Sequence, residues 1–325
     1  MRPAGGAGRG RRELRTGLLW TAPWWLGFLF FLAVPMGMSL YISFCDYPLL
    51  QPPVFIGTAN YAALAGDPVF GKVLVNTLVF AALAIPLGTV LAILLAVLLN
   101  QNLPGQGLFR TCLFVPTVVP LVGAALVWLW LLNPEYGLIN AALRPLAPLA
   151  SGANELIAAL GGGRRLSWLS ELAAGPQWLS SPHWAMAALV LISLWGVGSA
   201  VVIYLAGLQE IPVDLYEAAM LDGASAARRF WHVTLPGLSP VILFNVITGL
   251  IGTWQIFALP YVLMRGEQGP GRSTYFYTMY LFDNAFRYLK MGYASAMAWI
   301  QLLIMLLLTG LVFWVGRRTV HYRGG

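Results

Sequence analysis

Glu217-Ala-Ala-Met-Leu-Asp-Gly223-Ala-Ser-Ala-Ala-Arg-Arg-Phe230-Trp-His-Val-Thr-Leu235-Pro236 mixes polar and apolar residues between two strongly apolar runs. Its local chemistry predicts two short helices parted at Gly223. Pro212 suits the first turn of a helix, where no amide partner is lost. Asp214 and Glu217 fall in or near that turn, where a carboxylate meets the positive end of the helix dipole. Ala218, Ala219, Met220 and Leu221 favour helix. Gly223 can take the left-handed conformation that ends one. Ser225 is placed to cap a second helix through Phe230 and Val233, which Leu235-Pro236 and Pro240 close. The expected product is an amphipathic helix–turn–helix lying across one end of an apolar bundle.

Composition says what that bundle is. The chain has 325 residues, 59% of them hydrophobic and only 10% charged. A soluble domain carries about a quarter charged residues, so this is an integral membrane protein of the all-α class. Its 13 Trp fit anchors at both bilayer interfaces. The net charge of +7 comes largely from the two ends, in terminal and juxtamembrane residues rather than on one folded face. No nucleic-acid partner is expected from that distribution. Cys45 and Cys112 fall in different apolar segments and support no disulfide framework. His183, His232 and His321 are isolated, so no metal site is expected.

A helix needs about 20 apolar residues to cross the hydrocarbon core. Six stretches qualify: 17–44, 73–99, 108–133, 184–207, 241–265 and 292–316. Before them, residues 1–16 form a basic, glycine-rich tail expected to be disordered; after them, residues 317–325 form a second basic tail. Residues 208–240, with the opening stretch, lie between spans four and five. Arg2, Arg9, Arg11, Arg12 and Arg15 place the first tail in the cytoplasm, and Arg110, Arg228, Arg229, Arg317, Arg318 and Arg323 then share that side. Even parity puts both termini and the 208–240 loop inside. The loop at 134–183, with Gly161-Gly-Gly-Arg-Arg165, is expected at the outer face without strong periodicity.

Glu217-Ala-Ala followed by Gly223 and then Leu235-Pro236 resembles the EAA loop of ABC-type import permeases. Ile211-Pro212 and Asp222-Gly223-Ala224 look like the carbohydrate-uptake branch. Phe55-Ile-Gly57, Asn60-Tyr61, Asn76-Thr77, Phe114-Val-Pro116 and Gly292-Tyr-Ala-Ser-Ala296 extend the likeness from about residue 20 to 316. The outer loop departs from it: Gln268-Gly269-Pro270 stands where sugar permeases often carry Gly-Gly-Pro. The resemblance implies the type I ABC importer permease fold, with a cytoplasmic coupling-helix motif between helices 4 and 5. It implies that Glu217 pairs with a basic residue on a separate ATPase and that Gly223 allows the turn. Ala218 and Ala219 would permit close approach, Asp222 belongs to the same docking surface, and Phe230, Leu235 and Pro236 would set the second helix. The implied partners are a second homologous permease, two ATPase subunits, an extracytoplasmic solute-binding protein and the lipid bilayer of the cytoplasmic membrane.

Chemistry of its own is missing from the chain. Gly66-Asp-Pro-Val-Phe-Gly71-Lys72 has the glycine and lysine spacing of a phosphate loop, but Val73 replaces the magnesium-binding hydroxyl and no strand precedes it. No catalytic residues and no cofactor are expected; ATP and magnesium would be bound by the partner ATPases. No pair of acids lies within the apolar runs, which argues against proton coupling and for a neutral substrate.

Depth along spans four to six places the candidate path. Near mid-membrane lie Trp195, Gly196 and Ser199, then Gly249, Gly252, Thr253 and Gln255, with Gln301 slightly outward. An aromatic plate with neutral hydrogen-bonding groups suits a sugar. Gly249 and Gly252 equally suit close helix packing. The expected function is therefore the permease subunit of an ATP-driven sugar importer. The alternatives are a permease for glycerol phosphate or an amino acid, or a polytopic membrane enzyme.

Overall fold

The computed structural model describes residues 6–101, 104–160 and 166–320. Arg2, Gly161–Arg165, His321 and Arg323 lie outside the described residues. Along the chain, α1 (Gly6–Phe28) passes through a wide turn at Leu29–Ala33 into α2 (Val34–Ser43). A short antiparallel ribbon follows, β1 (Cys45–Asp46) with β2 (Val54–Phe55), then α3 (Ala59–Ala65) and the long α4 (Pro68–Leu99). Next come α5 (Gln106–Val118), α6 (Leu121–Leu131), α7 (Leu138–Leu143), α8 (Ala147–Leu160) and α9 (Ser167–Ala174). Then follow α10 (Pro182–Trp195), α11 (Gly198–Gln209), α12 (Val213–Leu221), α13 (Ala226–Arg229), α14 (Leu235–Gly237) and α15 (Ser239–Trp254). The last are α16 (Ala258–Leu263), α17 (Tyr277–Phe282) and α18 (Met291–Thr319).

Among the described residues, three helices are long and apolar enough to cross a membrane unaided: Arg15–Ser43, Pro68–Leu99 and Met291–Arg318. Three further helix pairs are apolar enough only together, and each is bent. α5 and α6 bend by 102°, α10 and α11 by 50°, and the Ala226–Gly237 run and α15 by 64°. Proline and glycine account for two of the breaks. Pro120 cannot donate an amide and holds extended backbone (φ −56°, ψ 134°), and α10 stops at Gly196. Among the described residues there are therefore three to six apolar spans, counted by whether each bent pair is one.

Several boundaries differ from the sequence expectation. Residues 6–16, read as a disordered tail, already belong to α1. The last span runs on to Thr319, into the expected second tail. The stretch 241–265 is two helices, because α15 ends at Trp254 and α16 starts at Ala258. The aperiodic 134–183 loop contains α7, α8 and α9. Its order comes from side-chain amides: Asn140 donates to the Pro134 and Pro176 carbonyls and accepts from Trp178 Nε1 at 2.7 Å. Asn154 likewise donates to Ser170 Oγ and accepts from Leu166 N.

The chain folds as two compact units, Met1–Asp67 with Leu281–Leu302, and Pro68–Tyr280 with Leu303–Gly325. In the first, buried Asn60 donates to the Ser43 and Cys45 carbonyls, both at 2.9 Å, and Tyr293 donates to Asp67 at 2.7 Å. In the second, α4 is the central post, touching α10, α11 and α15. One apolar cluster surrounds Phe80, Leu132, Leu189 and Phe276; another surrounds Ile93, Leu99, Val201, Leu208, Ile211 and Leu238. Asn76 on α4 donates to the carbonyls of Arg272 (2.7 Å) and Tyr275 (2.9 Å), and Tyr277 N donates to Thr77 Oγ1 (3.0 Å). α16 ends in a paired hydrogen-bond terminator, Gly266 N to Tyr261 O and Arg265 N to Val262 O. The left-handed position of that terminator is Arg265, with φ 53°, where a side chain costs about 1–2 kcal/mol.

Candidate functional site

The opening stretch folds as a bent peg. α12 begins after Pro212, which stands as its N-cap rather than inside its first turn. It ends at Gly223 (φ 73°), where Gly223 N bonds Met220 O at 3.0 Å and Ala224 N bonds Ala219 O at 2.9 Å. That is the two-bond left-handed terminator, and a Cβ at Gly223 would meet nothing within 4 Å. The position therefore demands a backbone angle, not space. Ser225 caps the second helix, its Oγ accepting from Arg228 N at 3.4 Å. Leu235-Pro236 does not close that helix as expected. A wide turn at Phe230–Thr234 carries it into α14, and the chain bends into α15 around Leu238. Proline is tolerated at Pro236 because it lies in the first turn of α14.

The root of the peg is clamped. Tyr216 and Thr234 share a hydrogen bond at 3.0 Å across it. A Cβ on Gly237 would stand 2.8 Å from Ile211 Cδ1, and one on Gly207 would stand 2.8 Å from Val241 Cγ2. Phe230 and Leu235 are half-buried against Ile211 and Leu238. Leu235 and Pro236 also line an apolar groove with Ile93 and Val315.

The tip is bare. Glu217, Ala218, Asp222 and Gly223 are exposed, and Ala219 is half-exposed. So are Val213, Leu215 and Met220, while Leu221 is 90% and Trp231 62% exposed. Leu221 would contribute about 1.5–3 kcal/mol if a partner covered it fully, and the others less in proportion to the surface they still expose. A rigid root under a tip of mixed acidic and apolar side chains can take up a groove and pass its movement to the bundle.

Deeper in the same unit, a cavity of about 190 Å3 opens between α4, α10, α11 and α15. Thr89, Ser193, Tyr204, Asn245 and Thr253 supply its polar lining. Ser193 and Thr253 donate to the carbonyls of Val190 and Leu250, and Asn245 Nδ2 donates to Val241 O. Their oxygens remain as acceptors. The Tyr204 hydroxyl is fully buried beside Thr89. Neutral hydroxyl and amide groups in apolar walls are the arrangement a hydroxylated, uncharged molecule needs.

Of the residues picked from depth alone, Gly196, Gly249 and Thr253 line this cavity. Trp195 does not; it is exposed and packs edge-on against Trp128, ring centroids 6.0 Å apart. Ser199, Gly252 and Gln255 are exposed and stand outside it, and Gln301 belongs to the other compact unit. A Cβ on Gly249 would meet Ile85 only at 3.7 Å and one on Gly252 would meet nothing, so neither glycine is required by tight packing. Sequence reasoning missed Thr89, Ser193, Tyr204 and Asn245. Their signal was slight: single polar residues inside apolar runs.

Comparisons with known proteins bear on the family and the fold. Residues 84–321 match the family model described as binding-protein-dependent transport system inner membrane component. The chain is 35% identical over 314 residues to the probable ABC transporter permease protein YesP of Bacillus subtilis, covering 96% of this chain and 94% of that one. It is 32% identical to the lactose transport system permease protein LacF of Rhizobium radiobacter, over 90% and 94% of the two chains. It is 31% identical to the trehalose/maltose transport system permease protein MalF of Thermococcus litoralis, over 94% and 95%. Among solved structures, a chain of a bacterial ABC transporter involved in import of the acidic polysaccharide alginate has the same fold. Its TM-score is 0.71 at 21% identity, covering 96% of this chain and all of that one (100%).

Proposed function

The chain belongs to the family of binding-protein-dependent transport system inner membrane components, integral membrane subunits of ABC importers, and from that premise we propose that it carries a sugar into the cell. In this reading the three long helices, α5 with α6, α10 with α11, and α15 with α16 make six spans, with both termini in the cytoplasm. The peg Val213–Gly237 lies on the cytoplasmic side and docks on a separate ATPase subunit, which binds the ATP and magnesium. A second, homologous permease completes the pathway, since one small bundle cannot easily enclose a passage for a sugar. An extracytoplasmic binding protein delivers the cargo; the related alginate importer has been seen with its substrate-bound periplasmic protein.

The observation that carries the docking role is the contrast within the peg: a clamped root at Gly237 and Tyr216, and an exposed tip at Leu221 and Glu217. What supports sugar as cargo is the uncharged donor and acceptor set around Tyr204 and Asn245, and the lactose and trehalose/maltose permeases among its relatives. Glu217 and Asp222 would pair with basic groups of the ATPase, and Ala218, Ala219 and Gly223 would let the surfaces close. Gly196, Gly249 and Thr253 would border the path with the four newly found polar residues, while Trp195, Ser199, Gly252, Gln255 and Gln301 would contribute only in the full assembly.

The test is uptake of labelled sugar into proteoliposomes holding the permease pair, ATPase and binding protein. Glu217→Arg should lower ATP-driven uptake at least ~10-fold, the effect of reversing a charge-assisted contact, with the chain still inserted. Normal uptake by that variant would sink the docking role. Uptake by the permease with no ATPase present would sink the whole reading.

A further inference from the structure

A second, larger pocket lies away from the cavity, in the same compact unit. Its volume is about 740 Å3, and it is bordered by Trp130, Asn133, Tyr136, Ser180, Arg265 and Glu267. We propose that it is a saccharide subsite at the outer mouth of the path, taking a neutral oligosaccharide of two or more rings; this rests on the sugar-import reading above.

Size is the first reason. The inner cavity of about 190 Å3 has room for little more than one sugar ring, whereas the outer pocket holds several. A longer chain held at the inner cavity must therefore extend elsewhere, and in the proposed topology the ends of α6 and α16 face outward. Chemistry is the second. Trp130 and Tyr136 are both more than half exposed, at 51% and 63%, and offer flat faces to C–H surfaces. An Asx turn, Asn133 Oδ1 accepting from Glu135 N at 2.9 Å and Tyr136 N at 3.2 Å, holds Tyr136 in place. It leaves the Asn133 amide protons to donate. Arg265 and Glu267 form no ion pair among the described residues. One cation and one anion, left apart, can donate to and accept from vicinal hydroxyls while the pocket's side chains sum to zero charge.

Backbone is the third reason. The peg ends α12 with the same two-bond terminator and uses Gly223 at its left-handed position; α16 uses Arg265 there. An arginine where glycine is easiest makes sense when its side chain has work in the pocket it borders. A protein surface could also meet Arg265 and Glu267, but a concave pocket walled by indole and phenol suits a small ring better than a docking face.

The experiment uses the assembled transporter in nanodiscs without the binding protein, with radiolabelled lactose, maltotriose and arabinotriose as probes. Arg265→Gly should melt no lower than wild type, because the strain is gone, and should bind the recognised trimer or dimer ~10-fold more weakly. Glu267→Gln should weaken it several-fold, and both variants should dock labelled binding protein as wild type does. Unchanged sugar binding in Arg265→Gly overturns the subsite, as does a lower melting point, which would mean that Arg265 is structural. Weakened binding-protein docking with sugar binding intact overturns it in favour of a protein contact. If wild type binds none of the three sugars, the sugar reading itself has failed, and this inference with it.

Discussion

Glycine at 237 and glycine at 223 are there for opposite reasons. Gly237 has ordinary helical backbone but no room, with Ile211 Cδ1 2.8 Å from where a Cβ would stand. Gly223 has room but a left-handed backbone. Gly237→Val should therefore cost about 1–3 kcal/mol through overpacking and lower the unfolding temperature in detergent. Gly252→Ala, with nothing within 4 Å, should stay within about 0.5 kcal/mol or gain slightly as a helix residue. Equal melting of the two variants would show that the root of the peg is not tightly packed. Gly223 was legible in the sequence because its causes are neighbours: helix formers before it, a capping Ser225 after it. Gly198 was not. Its Cβ would collide with the Leu113 carbonyl, a partner far away in the chain that no local pattern announces.

Apolar elements were legible in place and partly in extent, but not in direction. Hydropathy registers that 108–133 and 184–207 are apolar; it is silent on the 102° and 50° bends inside them. A bend exchanges one apolar neighbour for another and leaves the average unchanged. Pro120 and the Gly196–Gly198 neighbourhood were the available clues. The inner cavity was half-read for the same reason. Depth along a straight rod picked Gly196, Gly249 and Thr253, but bending turned Trp195 and Ser199 away and brought Tyr204 in. Long-range clamps were equally hidden. Asn76 on α4 holds the segment after α16 through the Arg272 and Tyr275 carbonyls. Asn76→Leu removes both bonds and should cost about 2 kcal/mol at roughly 1 kcal/mol each. Amide hydrogen exchange should then rise across 266–276 while the backbone amides of α12 and of 230–237 keep their protection. Exchange rising equally in both places would mean that the whole unit has loosened instead.

Taken whole, the molecule places its peg and its outer pocket at different ends of the same bundle in the proposed topology. In a Cys112→Ser background, which removes the exposed native thiol, Leu221→Cys should react with an impermeant maleimide only in inverted vesicles. Ser180→Cys should react only in right-side-out ones. The reverse pattern would invert the topology. One further feature shapes how force crosses that bundle. The wide turn at Phe230–Thr234 lengthens the loop of hydrogen bonds by one residue between the peg and α15. In an α-helix one residue is about 100° of rotation and ~1.5 Å of rise. The turn thus acts as a rotary offset: the stripe that meets the motor and the stripe that grips the rods need not share an azimuth. Trimming one residue there would barely shorten the shaft, yet it would re-index the peg by more than a quarter turn.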